Sequence, residues 1–228
     1  MSKQKRRNIC VYCNKRRADT RDHVIPKCLF EKPFPPNLIT VPTCSKCNGK
    51  KSKDDDYLRD YLTMDFAGST NDTAQRIFSG KVMRSVARNR SALAKSVLQE
   101  GKEEPIHTKG GIYVGHAPTA RIDEQRLIRI FDYIVRGLYY DHRKVRVSVR
   151  YPVKVSRIMP WDVERAAKDF SKFNLNSRSP LGNVFGCSYA CAREDPFSTF
   201  WWMRFYDQVF FYVSFINPNA ESITGKAA

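Results

Sequence analysis

Cys10-Val11-Tyr12-Cys13 and, thirty residues further on, Cys44-Ser45-Lys46-Cys47-Asn48-Gly49-Lys50-Lys51 frame the segment that decides how this chain folds. Each C-x2-C pair is a short turn that presents two sulfurs toward one point, so Cys10, Cys13, Cys44 and Cys47 together suit a tetrahedral zinc ion. Four protein ligands leave such an ion no open position for water, which makes the expected zinc structural. The residues between the pairs are then an excursion that the metal closes. Asp22-His23-Val24-Ile25 and Leu38-Ile39-Thr40-Val41 are β-branched runs that read as strands, and Lys32-Pro33-Phe34-Pro35-Pro36-Asn37 between them reads as a loop. Beyond Cys47, the spacing of Tyr57, Leu58, Tyr61 and Leu62 puts them on one helical face and predicts a helix from near Asn48 toward Leu62.

The 228 residues include 40 Lys and Arg against 23 Asp and Glu, a formal charge of +17 that favours a polyanionic partner, nucleic acid ahead of a membrane surface. Residues 1–62 hold +8 of that charge in about a quarter of the length, so the cysteine-framed segment is the denser positive field. A hydrophobic fraction of 42% is that of a folded protein and excludes a disordered basic tail. No apolar stretch approaches the roughly 18 residues that a membrane span needs, and no apolar run follows Lys3, Lys5, Arg6 and Arg7 as in a signal peptide. The expectation is a cytoplasmic protein with no membrane partner, whose paired cysteines bind metal rather than form disulfides.

Inside the excursion stand Arg21-Asp22-His23-Val24-Ile25-Pro26, then Asn37-Leu38-Ile39, and the second cysteine pair runs into Asn48-Gly49-Lys50-Lys51. Over about residues 8–62 this succession resembles the HNH endonuclease family, whose core is the ββα-metal fold. The resemblance implies a hydrolase that cuts phosphodiester bonds in DNA with one Mg²⁺ or Mn²⁺ ion, leaving 5′-phosphate and 3′-hydroxyl ends. By position it makes His23 the general base, Asp22 and Asn48 the ligands of the catalytic ion, and Asn37 the residue that orients the loop and His23. Lys51 matches the family's helix lysine, which touches backbone phosphate or braces the site, and Arg21 and Lys50 would add phosphate contacts. Asn48 stands where the family often has His, an H-N-N version whose oxygen donors tilt the site toward hard cations. Small free-standing members belong to bacteria, phages and mobile elements, which implies a role in defence or mobility.

Blander readings accompany these. His23 beside Asp22 also suits a surface hydrogen-bonded pair, Asn37 a turn cap and Asn48 a helix cap. Asp54, Asp55 and Asp56 point in different directions on a helix and read as a solvated face rather than a metal cluster. Two further functions stay open: a catalytically inert, zinc-stabilised nucleic-acid-binding module, and an RNA nuclease, since nothing in the motif reads a 2′-hydroxyl.

The fold class expected is α+β, with the module at 1–62 and a second domain at 63–228 for selecting a substrate or a protein partner, including a second copy of the chain. In 63–228, residues 63 to about 100 read as mostly helical with a stripe of Met83, Val86, Ala87, Leu93, Ala94, Val97 and Leu98, broken by Gly101–Gly111. Leu127, Phe131, Ile134 and Leu138 predict a helix within 121–140, and Val145, Val147 and Val149 alternate with polar residues as a strand would. A helix is expected after Pro160, and Thr199–Tyr206 and Val209–Phe215 read as strands joined by a tight turn. Trp201, Trp202, Phe205 and Tyr206 suit the core better than base stacking. Cys28, Cys187 and Cys191 read as packing thiols, and His107, His116 and His142 carry no motif.

Overall fold

The structure, a computed structural model, describes residues 9–218 except 66, 92, 94, 95, 97–101, 109, 119, 120 and 174. Its first elements are strands β1 (Thr20–His23) and β2 (Thr40–Thr43), paired antiparallel with Asp22 opposite Val41 and His23 opposite Thr40. The pair lies two residues away from the runs read in the sequence. The β-branched Val24, Ile25 and Ile39 instead leave the ladder and turn inward or flank it, with Val24 N–H still bonding Ile39 O at 3.0 Å. Helix α1 (Ser45–Met64) follows directly and starts before Asn48, because Asp19 reaches back to its first turn. The Asp19 carboxylate accepts from Ser45 N–H and from Ser45 Oγ, both at 2.7 Å, and these bonds hold its pKa below the usual carboxylate range. Asn48 is therefore not the cap.

The long segment after α1 is more broken than its apolar residues predict. It contains α2 (Asp72–Ile77), a π-helical turn over Phe78–Val82 and α3 (Met83–Ala87). Asn71 caps α2 by accepting from Thr73 and Ala74 N–H. The apolar side chains that α2 and the π-helical turn bury are Ala74, Ile77 and Val82, whereas Met83 is 47% exposed, because the wide turn rotates the helical face before the expected stripe begins. Leu93 is buried; Ala94, Val97 and Leu98 lie outside the described residues. An antiparallel hairpin of β3 (Glu103–His107) and β4 (Tyr113–Pro118) takes the place of a plain break.

Helix α4 (Glu124–Arg143) is the spine of the remainder. Asp123 caps it by accepting from Arg126 N–H, and it ends where Lys144 turns left-handed at φ 56°. Its Leu127, Phe131, Ile134 and Leu138 are buried as their spacing predicts, each adding roughly 1.5–3 kcal/mol. No strand forms over Val145–Val149. The buried Arg136 guanidinium takes the carbonyls of Val147, Ser148 and Tyr151, and Asn14 Nδ2 donates to Val147 O as well, so these backbone groups have no ladder to join.

After β5 (Val153–Ile158) and α5 (Val163–Phe170) come β6 (Asn176–Leu181), β7 (Phe185–Cys191), β8 (Thr199–Phe205) and β9 (Val209–Phe215), in one antiparallel sheet of order β5-β9-β8-β7-β6. The β8–β9 turn is tight, with Tyr206 and Asp207 at φ 47° and 59°. Alternate residues Trp201, Met203, Phe205, Phe211 and Phe215 face α4, where Phe131 lies 4.6 Å from Phe211, ring to ring. The core expectation is met for Trp201, Phe205 and Tyr206, which are fully buried, but not for Trp202, which is half-buried on the other face of β8. The fold is mixed α+β, and no helix among the described residues is long and apolar enough to cross a membrane.

One apolar core runs from Cys10 to Phe215 without a break at residue 62. One close crossing is at Gly137 of α4, where an added Cβ would stand 2.6 Å from a methyl of the fully buried Val24. Gly137→Ala gains about 1 kcal/mol of helix propensity but overpacks a β-branched neighbour that cannot yield, a cost of about 1–3 kcal/mol. The expected net result is a lower midpoint in urea unfolding; an unchanged or higher midpoint would show that α4 is free to move away from Val24.

Candidate functional site

The four sulfurs come from two kinds of turn. In the first, Asn14 adopts φ 52°, its N–H bonds Cys10 O at 3.0 Å, and Cys10 N–H bonds Arg16 O at 2.8 Å. In the second, Cys44 and Cys47 occupy the start of α1, where Asn48 N–H bonds Cys44 O. Cys10, Cys13, Cys44 and Cys47 have their sulfurs within 4.8 Å of one another, and Cys13 and Cys44 are 4.0 Å apart. A tetrahedral zinc with bonds of about 2.3 Å sets its sulfurs about 3.8 Å apart, so the group can hold zinc with little adjustment. Burial pushes the Cys10 and Cys47 thiols up, while at Cys13 burial is outweighed by the Arg16 and Lys15 N–H groups, which bring its thiol down to about 7.

Beside the cage, strand alternation turns Thr20 and Asp22 toward α1 and leaves Arg21 exposed. Asp22 is buried and accepts from Tyr12 Oη at 2.7 Å, and the Lys51 ammonium stands 3.3 Å away. Both reach the same oxygen, Oδ2, which leaves Oδ1 as the oxygen not taken by either. Lys51 Nζ also donates to His23 O at 2.8 Å and to Asp55 at 3.0 Å. The ammonium is thus engaged inside the protein, by hydrogen bonds to His23 O and Asp55 and by the charge of Asp22.

The side chain of Lys51 has no exposed surface, so the expected phosphate contact is not available to it; it braces the strand. His23 is partly buried, and its pKa is lowered first by that burial and then by the Lys27 and Lys51 charges, against an opposing pull from Asp22. The imidazole is thus held toward its neutral form, the form that accepts a proton. Asn48 lies one turn before Lys51, and its Nδ2 donates to Thr20 Oγ1 at 3.3 Å. With Nδ2 turned to the strand, the amide oxygen is the group left to serve as a ligand.

Asn37 is exposed in the Pro-rich loop, and its side chain makes no hydrogen bond among the described residues. The backbone pair Val24–Ile39 closes the loop instead, so the orienting role expected of Asn37 is not seen. Arg21 and Lys50 are exposed as phosphate contacts require, although Arg21 is tied to Thr40 by its Nε and by its terminal nitrogen at 2.7 Å.

Two participants escaped the sequence reading. Tyr12 lies inside the first cysteine pair and carries no motif of its own, and Asp55 reads in the sequence as part of a solvated face. Asp55 stands four residues after Lys51, the spacing at which helical side chains meet, and that was the available signal. Of the neighbouring acids, Asp54 is buried while Asp56 stays exposed as a solvated face requires. Asp54 is buried between Arg126 at 2.8 Å and Arg129 at 2.7 Å, and Asp56 pairs with Arg59. Cys28 packs as expected, its Sγ donating to Asp55 O, with burial raising the thiol to about 12.

No family model, curated protein or solved structure matches the chain.

Two outcomes check this geometry. Purified protein is expected to carry one zinc per chain by elemental analysis, and Cys47→Ser to lose it with a fall in Tm; a zinc-free chain of unchanged stability would overturn the cage. Burial, with Asp22 and Asp56 nearby, raises the Asp55 carboxyl to about 7, against the pull of Lys51. The folded state therefore keeps a proton that the unfolded state releases near pH 4, and stability falls as pH rises from about 4 to 7. Asp55→Asn removes that contribution, so its urea midpoint should vary less over this range than that of the unaltered protein. Parallel curves would count against the shift.

Proposed function

We propose that the chain is a metal-dependent endonuclease of the HNH kind, hydrolysing phosphodiester bonds in DNA. The observation that carries this reading is the placement of Asp22 and His23 at the end of a strand pair that leads into a helix bearing Asn48 and Lys51, all closed by four cysteines.

The donor set fits a hard divalent ion. Asp22 Oδ1 and the Asn48 amide oxygen are hard donors on adjoining elements, and Mg²⁺ is commonly held by one or two protein oxygens together with water and substrate phosphate. A Mg²⁺ or Mn²⁺ ion there would neutralise charge on the scissile phosphate and on the leaving 3′ oxygen. His23 takes the proton from the attacking water, and its lowered pKa keeps it unprotonated near neutral pH. Lys51 fixes the His23 carbonyl, and through it the base of the imidazole, while Tyr12 and Lys51 hold Asp22 by one oxygen. Arg21 and Lys50 lie on the exposed side, suited to the backbone of the nucleic acid.

One observation favours a second reading. The Asp22–Lys51 pair already balances the carboxylate, and a site kept in that state would be a zinc-stabilised nucleic-acid-binding module without catalysis.

A supercoiled plasmid incubated with zinc-loaded protein and Mg²⁺ or Mn²⁺ separates the two. The unaltered protein is expected to nick or linearise it, and His23→Ala to lose at least about 100-fold in rate, the usual loss with a general base. Equal cutting by both proteins would remove His23 from the chemistry, and DNA binding without cutting in either metal would favour the inert module. Faster cutting of an RNA of matched length would move the substrate to RNA.

A further inference from the structure

The segment between α2 and the undescribed residues near 95 carries a charge arrangement that the proposed site does not use. Lys81, Arg84 and Arg88 follow one another at three and four residues, a spacing that places them along one helical face. The chain then reverses: Asn89 turns left-handed at φ 56°, and Arg90 N–H bonds Ser85 O at 2.8 Å. That reversal brings Arg90 back beside the same face. Lys81, Arg84, Ser85, Arg88 and Arg90, with Asp56 of α1, wall an open cleft of about 230 Å³.

The cations of this cleft divide into two kinds. Lys81 is spent on structure, donating to Cys28 O at 3.1 Å and to Phe30 O at 2.6 Å, and so pins the segment to the loop that follows His23. Arg84, Arg88 and Arg90 are exposed, and none has an acidic partner among the described residues. The single carboxylate of the cleft, Asp56, is already paired with Arg59 at 2.6 Å. Cations complement the C-terminus of a helix by about 0.3–1 kcal/mol each, but that effect is confined to the last turn and saturates, while like charges one turn apart cost about 0.2–0.5 kcal/mol per pair. Three guanidiniums converging on one opening thus exceed what the short α3 needs, and an anion is what relieves them.

We propose that this cleft binds the phosphodiester backbone of the nucleic acid, with Arg84, Arg88 and Arg90 as its phosphate contacts. This rests on the nucleic-acid reading of the protein but not on cleavage. The place in the fold fits. Lys81, in the wall of the cleft, donates to the carbonyls of Cys28 and Phe30 on the loop that follows His23. Phosphates recur about every 3.4 Å of axis along one strand, so a backbone that passes His23 reaches the cleft within a few nucleotides. The planar, forked guanidinium also suits phosphate oxygens better than a lysine ammonium does.

The test is the salt dependence of binding, read by fluorescence anisotropy of a labelled 20-base-pair DNA duplex with zinc-loaded full-length protein and no added Mg²⁺ or Mn²⁺. Arg84→Gln/Arg88→Gln/Arg90→Gln is compared with Arg165→Gln/Lys168→Gln/Lys172→Gln, an equal loss of charge on exposed positions of and beside α5. With one phosphate per arginine, the slope of log K against log[KCl] should become shallower by about 2–3 in the first variant and change little in the second. An unchanged slope in the first, or an equal change in both, overturns the proposal. Cleavage is scored separately with His23→Ala. A shallower slope without any cleavage supports the cleft while the nuclease reading falls, and His23-dependent cleavage with an unchanged slope does the reverse.

Discussion

A lysine ammonium with no access to water holds the candidate site together. Removing such a charge from solvent costs several kcal/mol unless its hydrogens are matched by good acceptors, and Lys51 meets that condition with His23 O, Asp55 and Asp22. Those three acceptors come from β1 and α1, so the helix cannot slide or rotate against the strand without stranding a buried charge. The constraint reaches further through Asp22. Its Oδ2 also receives the Tyr12 hydroxyl, and Tyr12 sits between two of the cysteines that can hold zinc. The position of a carboxylate in the strand pair thereby depends on a turn that a metal ion would stiffen.

Helix α1 distributes its acids in the same manner. Successive helical residues are about 100° apart, so Asp54, Asp55 and Asp56 meet different neighbours: two arginines of α4, Lys51, and Arg59. On the other side the β8–β9 turn sends the Tyr206 hydroxyl to Leu29 O, and the loop after α4 offers Val147 O to Asn14. Polar contacts of this kind fix orientation more than they add stability, because each desolvates what it pairs.

The sequence made some of this legible and concealed the rest for identifiable reasons. Cysteine pairs announce themselves because few other arrangements of thiols use that spacing, and the four sulfurs do converge. The stripe of α4 and the alternation of β8 and β9 were readable because one face of each is buried along its whole length. Val145–Val149 has the alternation of a strand but lost its carbonyls to Arg136, a residue whose burial no local pattern reveals. Lys51 could be matched to a position but not to a direction, since whether a lysine faces water is decided by Asp22 and Asp55 arriving from elsewhere. Asn37 fell short for the opposite reason: the backbone pair of Val24 and Ile39 had already closed its loop.

The Gly137 crossing has a consequence for how the unit can be handed on. Residues 1–62 contain every cysteine of the cage and every side chain of the candidate site, which suggests a cassette that could be grafted elsewhere. Cut at 62, however, Val24 would lose the backbone of Gly137, Tyr61 the ring of Phe211, Tyr57 its bond from Asp123 and Asp54 both of its arginines. A transplant that keeps these contacts would have to bring α4 and the sheet behind it.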